Sequence, residues 1–105
     1  MSNFIQQCID GDALLEDIDD FIDAWHDGDS TLKLNEFLGM TLFEYNVWLN
    51  QPDILPIIVK AKRDKKDSSE LMNEEVYRLA ARSEDVVQSE KLKKWLIKEG
   101  YWKGE

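Results

Sequence analysis

Residues 13–27 read Ala13-Leu14-Leu15-Glu16-Asp17-Ile18-Asp19-Asp20-Phe21-Ile22-Asp23-Ala24-Trp25-His26-Asp27, and their spacing decides the fold class. Leu14, Leu15, Ile18, Phe21, Ile22 and Trp25 recur three and four residues apart, the period of one face of an α-helix. Glu16, Asp19, Asp20, Asp23 and Asp27 project from the opposite face. Asp12 stands where an N-cap belongs. The following Asp27-Gly28-Asp29-Ser30-Thr31 has loop composition.

Working outward, the helical pattern repeats in both directions. Toward the N-terminus, Asn3–Ile9 reads as a short helix with Ser2 as N-cap and Gly11 as stop. Toward the C-terminus, Leu34–Leu38 is a short helix closed by Gly39. Thr41-Leu42-Phe43-Glu44 is a capping box, in which the Thr hydroxyl accepts from the Glu amide and the Glu carboxylate accepts from the Thr amide. Met40 and Tyr45 are placed for a hydrophobic staple across that box. This helix shows Phe43, Val47 and Trp48 and runs to Asn50, where Gln51-Pro52-Asp53 breaks it.

Another helix starts near Leu55-Pro56, with proline in the first turn, and enters the basic run Lys60–Lys66. Asp67-Ser68-Ser69 reads as loop and N-cap. Residues Glu70–Arg82 carry a Met72, Val76, Leu79, Ala80 stripe. Residues Glu90–Glu99 carry Leu92, Trp95 and Leu96, with Ser89 as cap and Gly100 as stop. The aromatic tail Tyr101-Trp102 is expected to fold back on the core, and Trp102 is the tryptophan best placed for exposure. No run alternates apolar and polar residues with β-branched enrichment. The expectation is an all-α compact bundle of five to seven short helices, one domain over residues 1–105.

Charge is divided unequally. The 105 residues hold 22 acids and 13 bases, a net charge of −9. Residues 1–53 form an acidic half with twelve acids and one base, −11; residues 54–105 form a mildly basic half with ten acids and twelve bases, +2. An acidic half repels nucleic acid and attracts basic proteins or cations. The apolar fraction, 43%, together with four Trp, four Phe and three Tyr, excludes a disordered tail. No apolar run approaches the roughly 18 residues that span a bilayer, so no membrane association is expected. Cys8 is the only cysteine, which precludes an intrachain disulfide and fits a reducing cytoplasm. The first residues carry no basic, apolar signal pattern and the last carry no lipidation box.

The chemistry-bearing residues do not converge on a reaction, and no enzyme is expected. His26 is the only histidine and belongs to a helix C-terminus, where its proton favours the dipole. No zinc pattern or nucleophile elbow is present, and the five glycines are ungrouped, so no phosphate-cradling loop and no cofactor is expected. Asp27, Asp29 and Thr31 alternate as in a calcium loop. Counting from Asp27, however, the sixth position is Leu32 rather than Gly and the twelfth is Leu38 rather than Glu, so the metal expectation is also none. The acidic face of residues 16–27 is open to water, the reverse of the burial that raises a carboxyl pKa toward neutrality for acid–base work. It suits electrostatic docking on a basic partner. Lys91, Lys93, Lys94 and Lys98 are the candidates for nucleic-acid contact, set against the interleaved Glu90 and Glu99.

Two boxes carry a family resemblance. Asp19-Asp20-Phe21-Ile22-Asp23-Ala24-Trp25-His26, followed by Leu34-Asn35-Glu36-Phe37-Leu38-Gly39-Met40-Thr41-Leu42-Phe43-Glu44-Tyr45-Asn46-Val47-Trp48, resembles small bacterial proteins of mobile or phage-like regions, some beside toxin-like genes. The resemblance covers the chain to about Pro56. It implies a partner-binding role of antitoxin or inhibitor type, with a toxin or a nucleic-acid-binding protein as the basic partner. Two other functions are compatible with the residues: a DNA-associated regulator using the helices after Ser68, and a phage-type acidic mimic of DNA that blocks a defence protein.

Overall fold

Helix α1 (Phe4–Asp10) starts where the Asn3 side chain accepts a hydrogen bond from the Gln6 amide at 2.8 Å. The chain is described here by a computed structural model covering residues 3–104; the expected Ser2 cap lies outside the described residues. Gly11, at φ 81°, turns the chain left-handed at the end of α1. The Asp12 amide then bonds the Gln7 carbonyl at 2.8 Å, a bond that closes the helix. The N-cap position of the next turn is Leu14, two residues beyond the expected Asp12.

That displaces the start of the second helix. Leu15–Asp17 forms a 3₁₀ turn, with the Leu14 amide donating to Asp17 Oδ2 at 2.9 Å, and α2 proper is Ile18–Asp27. A short acid that reaches a nearby amide competes with helix propagation. The expected fifteen-residue helix is therefore a turn followed by a ten-residue helix.

Helix α3 is Leu34–Leu38 and closes at Gly39, φ 93°. A side chain at position 39 would run into the Asn3 side chain, so the start of α1 and the end of α3 touch only because residue 39 is glycine. Helix α4 (Leu42–Asn50) carries the expected capping box: Glu44 N to Thr41 Oγ1 at 3.1 Å and Thr41 N to Glu44 Oε1 at 2.8 Å. After the 3₁₀ turn Pro52–Ile54, helix α5 runs Leu55–Arg63.

Helix α6 is Ser68–Ala80, capped by Asp67 Oδ1 accepting from the Ser69 amide at 3.1 Å. It thus begins two residues before the expected Glu70, and the serines read as loop lie within it. Met72 and Val76 of its stripe are buried, Leu79 is half-buried and Ala80 is exposed. Helix α7 is Val86–Glu99, four residues longer at its start than expected. Ser89 is not its cap. It is buried in the first turn, and its hydroxyl donates to the Val76 carbonyl of α6 at 2.9 Å. A partner thirteen residues away overrides the local capping preference.

No strand occurs among the described residues, and the seven α-helices match the all-α expectation. One buried cluster draws on all seven, including Phe4, Ile18, Leu38, Val47, Ile58, Met72, Leu92 and Leu96. Each such side chain contributes about 1.5–3 kcal/mol by leaving water. The principal helix contacts run in series, α2 on α3, α3 on α1, α1 on α5, α5 on α6 and α6 on α7, the last being the most extensive. The molecule is accordingly elongated, 44 × 26 × 24 Å, with α2 and α7 at opposite ends of the series.

The tail folds back as expected. Asn73, buried on α6, donates to the carbonyls of Ser69 at 2.7 Å and Tyr101 at 2.9 Å and accepts from the Lys103 amide at 2.8 Å. Trp102 packs against the core, so the tryptophan singled out for exposure is half-buried, as are Trp25, Trp48 and Trp95. No helix among the described residues is long and apolar enough to cross a membrane.

Candidate functional site

Helix α2 turns Ile18, Phe21, Ile22 and Trp25 toward the protein, so the intervening Asp19, Asp20, Asp23 and Asp27 face outward and are exposed. Glu16 is exposed too, but it belongs to the 3₁₀ turn before α2. The face read as five helical acids is therefore four on the helix and one on the turn leading into it. Among the described residues no ion pair reaches any of the five.

The local energetics run against this arrangement. Asp19 and Asp20 in the first turn complement the helix dipole, whereas Asp27 sits in the last turn, where negative charge is disfavoured. Asp19 with Asp23, and Asp23 with Asp27, are like charges one turn apart, each costing roughly 0.2–0.5 kcal/mol. Among the described residues no ion pair offsets that repulsion.

Beside this face lies a cleft of about 510 Å³ between α2, the following loop and α3, lined by Asn3, Gln7, Phe21, Ala24, Ser30, Leu32, Glu36 and Phe37. Ala24 is one turn from both Asp20 and Asp27, so the acidic face and the cleft share an edge. Phe21 is fixed by an edge-to-face contact with Phe4, centroids 5.0 Å apart. The loop wall is fixed from α2: Trp25 Nε1 donates to the Leu32 carbonyl at 2.8 Å, and Ser30 Oγ accepts from the Leu32 amide at 3.2 Å. Sequence reasoning placed the acids but missed the cleft. The signal was Leu32, an apolar residue in an otherwise polar loop.

A second, more open cleft of about 410 Å³ lies between the 3₁₀ turn and α5, lined by Cys8, Leu14, Leu15, Pro56 and Val59, with Lys60 and Arg63 at its edge. Burial, and secondarily the negative charge of Asp17, push the Cys8 thiol above its ordinary pKa. It is a poor nucleophile at neutral pH. His26 is exposed with its ring against Trp25, and no group of three His, Cys, Asp or Glu side chains among the described residues could hold a metal ion.

The lysines at the far end divide. Lys91, Lys94 and Lys98 share one face of α7 and line a groove of about 430 Å³ with Trp95, Asn50 and Gln51. Lys93 points elsewhere, its Nζ 5.4 Å from the centre of the Trp102 ring. Three of the four candidate contacts are thus brought together and the fourth is not.

The basic run before α6 is partly engaged internally. Lys62 Nζ lies 3.2 Å from Glu44 Oε1, whose side chain is 3% exposed, and Arg63 pairs with Asp64. Glu44 therefore caps α4 and also joins the acidic half to the basic half. Its partner lies eighteen residues on, beyond what the capping motif reveals. The chain matches no protein-family model, no curated protein and no solved structure.

Proposed function

We propose that the protein is a non-enzymatic binding module of antitoxin or inhibitor type, which docks the acidic face of α2 on a basic protein partner in the cytoplasm. The observation that carries this reading is the set Glu16, Asp19, Asp20, Asp23 and Asp27, exposed and without an ion pair among the described residues although the same chain holds thirteen bases. Charges held against mutual repulsion are relieved when an external surface of opposite sign covers them. Complementarity of this kind raises the association rate and excludes wrong partners.

The test is capture from a lysate of the cell that makes the protein, with the natural chain and with a variant carrying Asp19→Asn, Asp20→Asn, Asp23→Asn and Asp27→Asn. A basic protein retained at low salt by the natural chain, lost from the variant and released by high salt is expected. Nothing retained at low salt, or the same proteins retained by both chains, overturns the proposal.

The lysine groove favours a second reading, a DNA-associated regulator working through Lys91, Lys94 and Lys98. Duplex DNA is then retarded at ~50 mM salt, where phosphate attraction is strong, and released by Lys94→Glu. Absence of retardation there removes this reading. The acidic-mimic version of the first reading adds one outcome: the captured partner loses its own nucleic acid as the protein is added.

A further inference from the structure

We infer that the cleft between α2 and α3 is the socket for one bulky apolar side chain carried within a basic segment of the partner, an inference that rests on the acidic-docking function proposed above. Exposed charge pairs add little affinity, and interfaces gain most of theirs from a few apolar or aromatic anchors buried in pockets. The acidic face of α2 contains no such anchor, whereas the cleft beside it presents Phe21, Ala24, Leu32 and Phe37.

Its volume, about 510 Å³, falls within the roughly 300–1,000 Å³ of pockets that receive ligands. The Trp25–Leu32 hydrogen bond and the Phe4–Phe21 contact hold two walls in place before anything binds. A preformed socket adds little ordering cost to association.

The charge at the rim decides the occupant. Glu36 lies in the lining, and Asp20 and Asp27 flank Ala24 on α2. An apolar side chain with Lys or Arg on either side satisfies socket and rim together. An acidic or neutral segment leaves the rim carboxylates facing no counter-charge. A second copy of this chain is disfavoured by its own net charge of −9.

The experiment titrates the isotopically labelled full chain with three short synthetic peptides at ~50 mM salt, reading amide shifts and affinity. One peptide is lysine-rich with a central phenylalanine, one replaces that phenylalanine by serine, and one replaces the lysines by glutamate. The phenylalanine–lysine peptide is expected to bind about tenfold or more tighter than the serine peptide, moving the amides of residues 21–24 and 30–37.

Ala24→Trp fills the socket from an exposed helical position without changing charge. It is expected to abolish the tenfold difference while leaving the serine peptide's binding intact, which also shows the variant is folded. Leu32→Ala is expected to shrink the difference. Equal binding of the phenylalanine and serine peptides, or a difference that survives Ala24→Trp, overturns the socket and leaves acidic docking standing. Equal binding of the glutamate peptide, or a concentration-dependent dimer occupying the same amides, also overturns it. No binding by either lysine peptide overturns both the socket and the function beneath it.

Discussion

The two halves of the chain handle charge in different ways. In residues 54–104 acids and bases meet one another: Arg63 with Asp64, Arg78 with Glu75, Arg82 with Asp85, and Lys103 with Asp67 and Glu70. In residues 3–53 no ion pair forms within the half among the described residues, and the pair that leaves it, Glu44 with Lys62, is engaged by a carboxylate that is already a helix cap. The difference is not one of composition alone, because ten acids lie in the second half as well. The first half has one lysine with which to pair, and α2 and α7 stand at opposite ends of the helix series, so the lysines of α7 do not reach the acids of α2. Helix contact is most extensive between α6 and α7, whereas α2 carries a run of acids with no ion pair among the described residues.

Substitutions that separate these roles should differ in size and in sign. The largest effect is expected in the second half. Leu96→Ala opens a cavity at a fully buried position of α7 and should cost about 3–4 kcal/mol in urea unfolding. One core cluster spans all seven helices, so tryptophan fluorescence and helical circular dichroism should report the same midpoint. Separate transitions would mean that the halves are stabilised independently.

Asn73→Ala should come next, at about 2 kcal/mol, because it removes two hydrogen bonds that strap residues 101–103 to α6 and a third, to the Ser69 carbonyl, within the helix. Limited proteolysis should then cut the tail first. A loss under about 0.5 kcal/mol would show that Trp102 packing alone holds it.

Glu44→Gln keeps an acceptor for the Thr41 amide and removes the charge facing Lys62, so about 1 kcal/mol is expected. Lys62 is one-third exposed, which limits the value of the pair. A double-mutant cycle with Lys62→Met isolates it.

Asp23→Asn should act in the opposite direction. It relieves two like-charge neighbours and should leave stability unchanged or raise it by up to about 0.5 kcal/mol, while weakening partner binding. A destabilisation beyond 1 kcal/mol would place Asp23 among residues that hold the fold. The smallest effect is kinetic and lies where the halves meet. Burial and then Asp17 raise the Cys8 thiol, so less thiolate is present at a given pH. Alkylation at neutral pH should be slower than for an unfolded chain, with the difference narrowing as pH rises past the raised value.

Much of this contrast was legible in the sequence where cause and effect are close together. Thr41 and Glu44 are three residues apart and cap α4 as read, and Gly39 stops α3 where expected. The period of α2 exposes the intended acids, and Tyr45 and Trp48 face one another with ring centres 6.0 Å apart. Errors arose where a distant or already engaged partner decides. Ser89 reads as a cap until its hydroxyl finds Val76 on another helix. Asp12 reads as a cap, but the next turn starts at Leu15, with Asp17 taking the Leu14 amide. Asn73 is unremarkable mid-helix until the tail returns to it. Lys93 and Lys94 are adjacent in sequence yet point to Trp102 and to the α4 side respectively, as helical rotation requires. The cleft beside α2 depends on a loop closed by Trp25 and the Leu32 carbonyl, a contact that periodicity does not contain.

The most direct measurement is the salt dependence of affinity for the captured partner, comparing the natural chain with the chain carrying Asp19→Asn, Asp20→Asn, Asp23→Asn and Asp27→Asn. Affinity of the natural chain is expected to fall steeply as salt rises, and the variant is expected to bind more weakly at low salt and to lose most of that slope. An affinity indifferent to salt, or a variant that binds and responds as the natural chain does, would contradict docking through the acidic face of α2.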